Sequence, residues 1–162
     1  MHPCPCGFFG DPLHECTCSQ GQIDRYLGKI SNPLLDRIDI HIEVSPVKYN
    51  DLQNQNNEES SALIRARVKK ARDIQLKRFK NNKIFSNSQI PPKDMKKHCK
   101  LTGDSEDIMN QAFEKYKFSG RTYNRLLKVS RTIADLDGEE KIQDRHILEA
   151  IRYRTLDNKY WG

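Results

Sequence analysis

Apolar positions recur along the 162-residue chain at helical spacing in several stretches, separated by short polar or proline-containing breaks. Ser19 can cap a helix running to about Ile30, with Ile23, Tyr26, Leu27 and Ile30 on one face. Ser31-Asn32-Pro33 breaks it, and Leu34-Leu35-Asp36-Arg37 follows. A second long helix is predicted from Ser60 or Ser61 to about Phe79, with Ile64, Val68, Ala71 and Ile74 inward and a basic outer face. Pro91-Pro92 opens a short helix, since proline is accepted in a first turn. Three more patterns cover about 104–117, 119–136 and 144–154. Their inward residues are Ile108, Met109, Ala112, Phe113 and Tyr116, then Tyr123, Leu126, Leu127, Ser130, Ile133 and Ala134, then Ile147, Leu148 and Ile151. Gly138 stands as a stop after the second of these. Each stripe covers one side only, so these helices are expected to pack on one another.

The exception to helical spacing is Ile38-Asp39-Ile40-His41-Ile42-Glu43-Val44, where every second residue is apolar. That alternation predicts a strand, ended by Pro46. A lone strand cannot satisfy its backbone hydrogen bonds, so its partners are expected outside this chain. Residues 49–59 are polar and Asn-rich and read as a linker. The fold class is therefore mainly α: a Cys-rich loop with a short helix over 1–30, a strand-bearing segment over 31–48, the linker, and a helical bundle over 60–162.

The hydrophobic fraction is only 36%, and no apolar run approaches the roughly 20 residues that span a bilayer. The first residues carry no basic start and no long apolar stretch, so a soluble cytoplasmic protein is the expectation. Lys plus Arg is 28 against 22 Asp plus Glu, a net charge of +6. That excess permits contact with phosphates of nucleotide or nucleic acid and does not require it.

Four of the five cysteines, Cys4, Cys6, Cys16 and Cys18, fall in the first eighteen residues. Two close pairs of thiols, with Gly7, Gly10 and Asp11-Pro12 between them, can supply one tetrahedral zinc site. Idle or redox-labile thiols are the other reading, and His2 and His14 are spare ligands. Cys99 reads as a packed or surface thiol. Arg121, Arg125 and Lys128 form a basic line along one helix face, which suits phosphate or DNA but is equally a solvated surface. Arg37 lies between Asp36 and Asp39, where a surface ion pair would explain it. No G-x-x-x-x-G-K-[ST] sequence and no acidic Walker-B strand is present, and no Ser/His/Asp or Cys/His set is spaced for catalysis. The chain has no complete active site of its own, and no ATP turnover is expected from it alone.

The segments MHPCPCGFFGD, CTCS, Q-I-x-R-Y-L and NPLLDRIDIHIEV occur in that order over residues 1–44, and SGRTYNRLLKVSRTIADLDG and IQDRHILEAIRYR over 119–154. Together they resemble the magnesium-chelatase-related AAA+ ATPases of the ComM/YifB type, over the whole chain except the linker. The resemblance implies the end of a nucleotide-binding core followed by a helical lid. It makes Arg37 the arginine finger acting on the ATP of a neighbouring subunit, and Arg121 the second sensing arginine at the start of a lid helix. His2 stands where the family carries the asparagine that senses the γ-phosphate. Also implied are ATP with magnesium, a hexamer-like ring of copies, and work on DNA in branch migration or unwinding during natural transformation. Related subunits instead drive magnesium insertion into a porphyrin. A stand-alone zinc-containing DNA-binding module and a purely structural or assembly domain are the remaining readings.

Overall fold

The computed structural model describes residues 2–44, 46–47, 59–80, 83–101 and 103–154. The described part is mainly helical and contains no strand. Its residues fall into two compact units, one formed by the described part of 1–57 together with Arg154, the other by that of 58–153.

In the first unit, α1 spans Gln20–Leu27. Ser19 begins it through a capping box: the backbone N–H of Ser19 donates to the Gln22 side chain at 2.9 Å, which satisfies a group the helix leaves open. Ile23 and Leu27, one turn apart, are buried on a single face. A short α2, Asn32–Leu35, follows. The triplet Ser31-Asn32-Pro33, expected only to break a helix, also starts one: Ser31 is the N-cap and Pro33 lies in the first turn. Residues 38–44, expected as a strand, are neither strand nor helix. Ile38, Ile40, Ile42 and Val44 are all exposed, Val44 at 85%. The alternation is a property of the sequence, but a strand exists only with a ladder partner, and none occurs among the described residues.

The second unit is built on α6, Gly120–Asp137, which packs against α3 (Ser61–Arg78) and α7 (Asp144–Arg152). Between α3 and α6 the chain forms a 3-10 turn at Asn87–Gln89, a second at Pro92–Asp94 that runs into α4 (Met95–His98), and then α5 (Asp104–Tyr116), which packs on α7. The core gathers Phe79, Ile90, Met95, Met109, Leu126, Ala134, Ile147 and Ala150. Ser119 caps α6 by accepting the Thr122 N–H at 3.1 Å. Gly138 ends it at φ 78°, with Glu139 N–H returning to Ala134 C=O at 2.8 Å. Only glycine takes that left-handed position without strain.

Burial departs from the expected stripes in two places. Ile64 and Val68 are exposed, because the core meets α3 only from Ala71 onward. Leu148 is exposed too, since α7 turns His146, Ile147, Ala150 and Ile151 inward instead. The linker expected over 49–59 lies, apart from Glu59, outside the described residues.

Candidate functional site

The Cys-rich loop has too little apolar content to close by itself, yet its turns are well defined. Asp11 receives the backbone N–H groups of Leu13 and His14 at 2.7 and 3.2 Å, which folds the segment between the two cysteine pairs back on itself. Those bonds hold the Asp11 carboxyl below the ordinary carboxylate range, the Leu13 N–H contributing most. Gly7 takes φ 90°, and a Cβ there would stand 3.5 Å from His2 Nδ1. The imidazole of His2 thus lies against the bare face of the glycine, while its residue as a whole remains exposed.

The return brings the four thiols of Cys4, Cys6, Cys16 and Cys18 within 4.8 Å of one another. Three sulfur separations are 3.4, 3.8 and 3.5 Å, for Cys4–Cys6, Cys4–Cys16 and Cys6–Cys16. Sulfurs at about 2.3 Å from one tetrahedral zinc would stand roughly 3.8 Å apart, so the donor set is of the right kind and spacing. The Phe9 N–H donates to Cys4 Sγ at 3.3 Å and fixes that sulfur against the loop backbone. Ile23 and Leu27 of α1 pack on Cys4 and form the apolar lid of the cluster.

The thiols are electrostatically unequal. A hydrogen bond from the Phe8 backbone lowers the Cys6 pKa to about 6. Cys16 receives a backbone hydrogen bond at Cys18 that lowers its pKa, but burial and the neighbouring Cys6, Cys4 and Cys18 thiols outweigh this and push it up to about 12. Cys18 is raised as well, burial and the Cys6 and Cys4 thiols outweighing the backbone bond it receives at Cys6. Four sulfurs this close can all ionise only around a cation, and the four cysteines can hold a metal ion.

Arg37 lies on the exposed turn that follows α2, with Nη1 donating to Pro33 C=O at 3.3 Å. Arg154 is the residue of this unit that the sequence reading did not single out. It is buried at 1% exposure and donates to the carbonyls of Leu35, at 3.2 Å, and Ile38. A buried arginine two residues beyond a helix end leaves no periodic signal, and only its partners, 119 and 116 residues away, reveal it.

In the second unit, Arg121 is exposed on the first turn of α6, and no hydrogen bond or ion pair holds it among the described residues. Arg125 is half-buried. Lys128 donates to Ser88 C=O at 2.8 Å, which ties it to the 87–89 turn. The line of three bases is therefore not uniform: one is exposed, one partly sheltered, and one anchored to the backbone. Cys99 is buried, at 2% exposure.

The family model described as "Magnesium chelatase, subunit ChlI" matches residues 1–52, and the one described as "Magnesium chelatase, subunit ChlI C-terminal" matches residues 58–154. The chain is 41% identical over 157 residues to the competence protein ComM of Haemophilus influenzae, covering 96% of this chain and 30% of that relative. It is 34% identical over 158 residues to YifB of Salmonella typhimurium, covering 97% of this chain and 30% of YifB. A Mycobacterium tuberculosis protein, Rv2897c, is 27% identical over 153 residues, 94% of this chain and again 30% of the relative. The chain thus spans about a third of the length of the curated relatives it matches. With a match that takes in more than half of its residues, the chain belongs to the magnesium chelatase family, through its ChlI C-terminal domain.

Proposed function

We propose that the chain supplies the closing parts of the ATP sites in an AAA+ ring motor that acts on DNA. The observation that carries this reading is Arg37: it is exposed, it sits on a short turn held by backbone bonds, and it lies within NPLLDRID of a chain 41% identical to a competence protein. A permanently charged, planar guanidinium presented at a subunit surface suits a finger that stabilises the transferring phosphoryl group of a neighbour. Arg121, exposed at the start of α6, is assigned the lid sensor of the same nucleotide. Arg125 and Lys128, further along the same helix, are the candidates for further phosphate or DNA contacts, Lys128 with its ammonium also bound to Ser88 C=O. His2, in place of the family's asparagine, is assigned no more than an auxiliary part.

The four cysteines are proposed as a structural zinc site that fixes the loop preceding α1. Bound zinc would supply cross-linking only. The chain's own part is to present the sulfurs at the right spacing and to cover them with Ile23 and Leu27.

In the full-length protein, Arg37→Ala should leave ATP binding nearly unchanged and lower turnover by about a thousandfold. Turnover of the unaltered protein should rise with added DNA. Stimulation by a metal-free porphyrin together with magnesium ion, and not by DNA, would favour the chelatase-type reading, and unchanged turnover in Arg37→Ala would reduce Arg37 to a surface residue.

A further inference from the structure

Arg37 can act as a finger only if the turn that carries it holds its shape, and α2 is too short to enforce this. The turn 36–38 follows a four-residue helix and is held locally by Arg37 N–H to Leu34 C=O at 2.9 Å and Ile38 N–H to Leu35 C=O at 3.0 Å. A single isolated turn of this kind is marginal in water. Arg154 supplies what is missing. Its Nη1 donates to the carbonyls of both Leu35 and Ile38, which bracket the turn, and Nη2 lies 3.6 Å from the Asp36 carboxylate. These three contacts fall on residues immediately around Arg37.

We propose that Arg154 is the positioning residue of the Arg37 turn: its guanidinium braces the two carbonyls and the carboxylate, so that Arg37 is presented outward in one orientation. The catalytic side of this rests on the finger reading above; the brace itself does not. Arg154 is 1% exposed, so its charge is removed from water and must be met by the groups it touches. The carbonyls meet it at Nη1 and Asp36 at Nη2, while Nε has no hydrogen-bond partner among the described residues, so the turn cannot rotate without leaving more of a buried charge unsatisfied. Only the planar fork of arginine reaches two carbonyls and a carboxylate at once. Lysine has one nitrogen in place of Nη1 and Nη2, so it cannot occupy the carbonyl position and the carboxylate position together.

The test compares wild type, Arg154→Lys, Arg154→Met and Arg37→Ala as full-length proteins, by amide hydrogen exchange and by ATP turnover. Exchange at the Arg37 and Ile38 amides should speed up at least about tenfold in Arg154→Met and by less in Arg154→Lys, with the Ile23 and Leu27 amides of α1 unchanged. In the same variants kcat should fall, most in Met, with KM little altered. Should Arg154→Met not fold, Arg154→Lys carries both measurements. Unchanged exchange at residues 37 and 38, or acceleration spread evenly through α1, would overturn the brace. A loosened turn with kcat intact, while Arg37→Ala abolishes turnover, would overturn the positioning role. If Arg37→Ala itself retains full turnover, the finger reading fails, and a localised exchange change in Arg154→Met still establishes the brace.

Discussion

Arg78 grips both carboxylate oxygens of Asp135, 57 residues away in the sequence, at 2.5 and 2.7 Å. The pair joins the end of α3 to the last turns of α6. Asn87 Nδ2 adds a bond to the same carboxylate at 2.7 Å and Arg131 Nε another at 3.1 Å, so one buried acid collects α3, the 87–89 turn and α6. Arg131 in turn donates to the carbonyls of Glu139 and Glu140 beyond the helix end. A carboxylate with this many donors is stable in the interior, whereas the same guanidinium groups without it would not be.

Asp135→Asn should therefore be among the most damaging single changes in the second unit, at about 3–5 kcal/mol, because two arginines lose their counter-charge. Arg78→Met should cost less, since Asp135 keeps Arg131 and Asn87. Urea unfolding of both variants gives the order, and a larger loss in Arg78→Met would contradict this account of the network.

Protein purified without chelator should carry one zinc per chain, and Cys16→Ser should lower that occupancy sharply. Removal of the metal should speed amide exchange across residues 2–18, while the helices from α3 onward keep their protection, because their core contains no residue of the loop. Elemental analysis together with exchange reads both. An ordered loop in demonstrably metal-free protein would refute the zinc assignment.

Arg121→Ala should leave the thermal unfolding of the chain almost unchanged, within about 0.5 kcal/mol, because the side chain is exposed. The same substitution in the full-length protein should weaken the response of ATP turnover to DNA. Large destabilisation would identify a structural arginine, and wild-type turnover would remove the sensor role.

Cys99 gives a pH prediction. Burial raises its thiol to about 11 against an ordinary value of 9.0, the nearby Arg131 and Arg78 charges only partly opposing this. The raised group contributes its full stability below pH 9, where both folded and unfolded thiols are protonated. Between pH 9 and 11 the unfolded thiol ionises first, and that contribution is lost, up to about 3 kcal/mol. The difference in unfolding free energy between wild type and Cys99→Ala should hence shrink over this interval. A pH-independent difference would show that the thiol is not sheltered as described.

Periodicity and end signals determined the longer helices, because both are local, while the four-residue α2 was too short to show a period. Ser60 and Ser119 with their following turns, Gly138, and the stripes on α5 and α6 settle where helices start, stop and turn their apolar face, and all are visible within a few residues. The close pairing of cysteines was legible for the same reason. Long-range pairing decided the rest. Arg131 and Asp135 lie on a helix face where charge reads as surface, yet both are buried: Arg78 and Asn87 arrive from distant positions to meet Asp135, and Asp135 with the Glu139 and Glu140 carbonyls meets Arg131. Arg154 is buried by carbonyls more than a hundred residues away. The alternation of Ile38–Val44 shows the converse: pattern alone makes a strand possible, and with no partner ladder among the described residues its apolar side chains are exposed. Local sequence sets what each segment can become, and the contacts that form across the chain determine which charges can be taken out of water and which apolar faces remain in it.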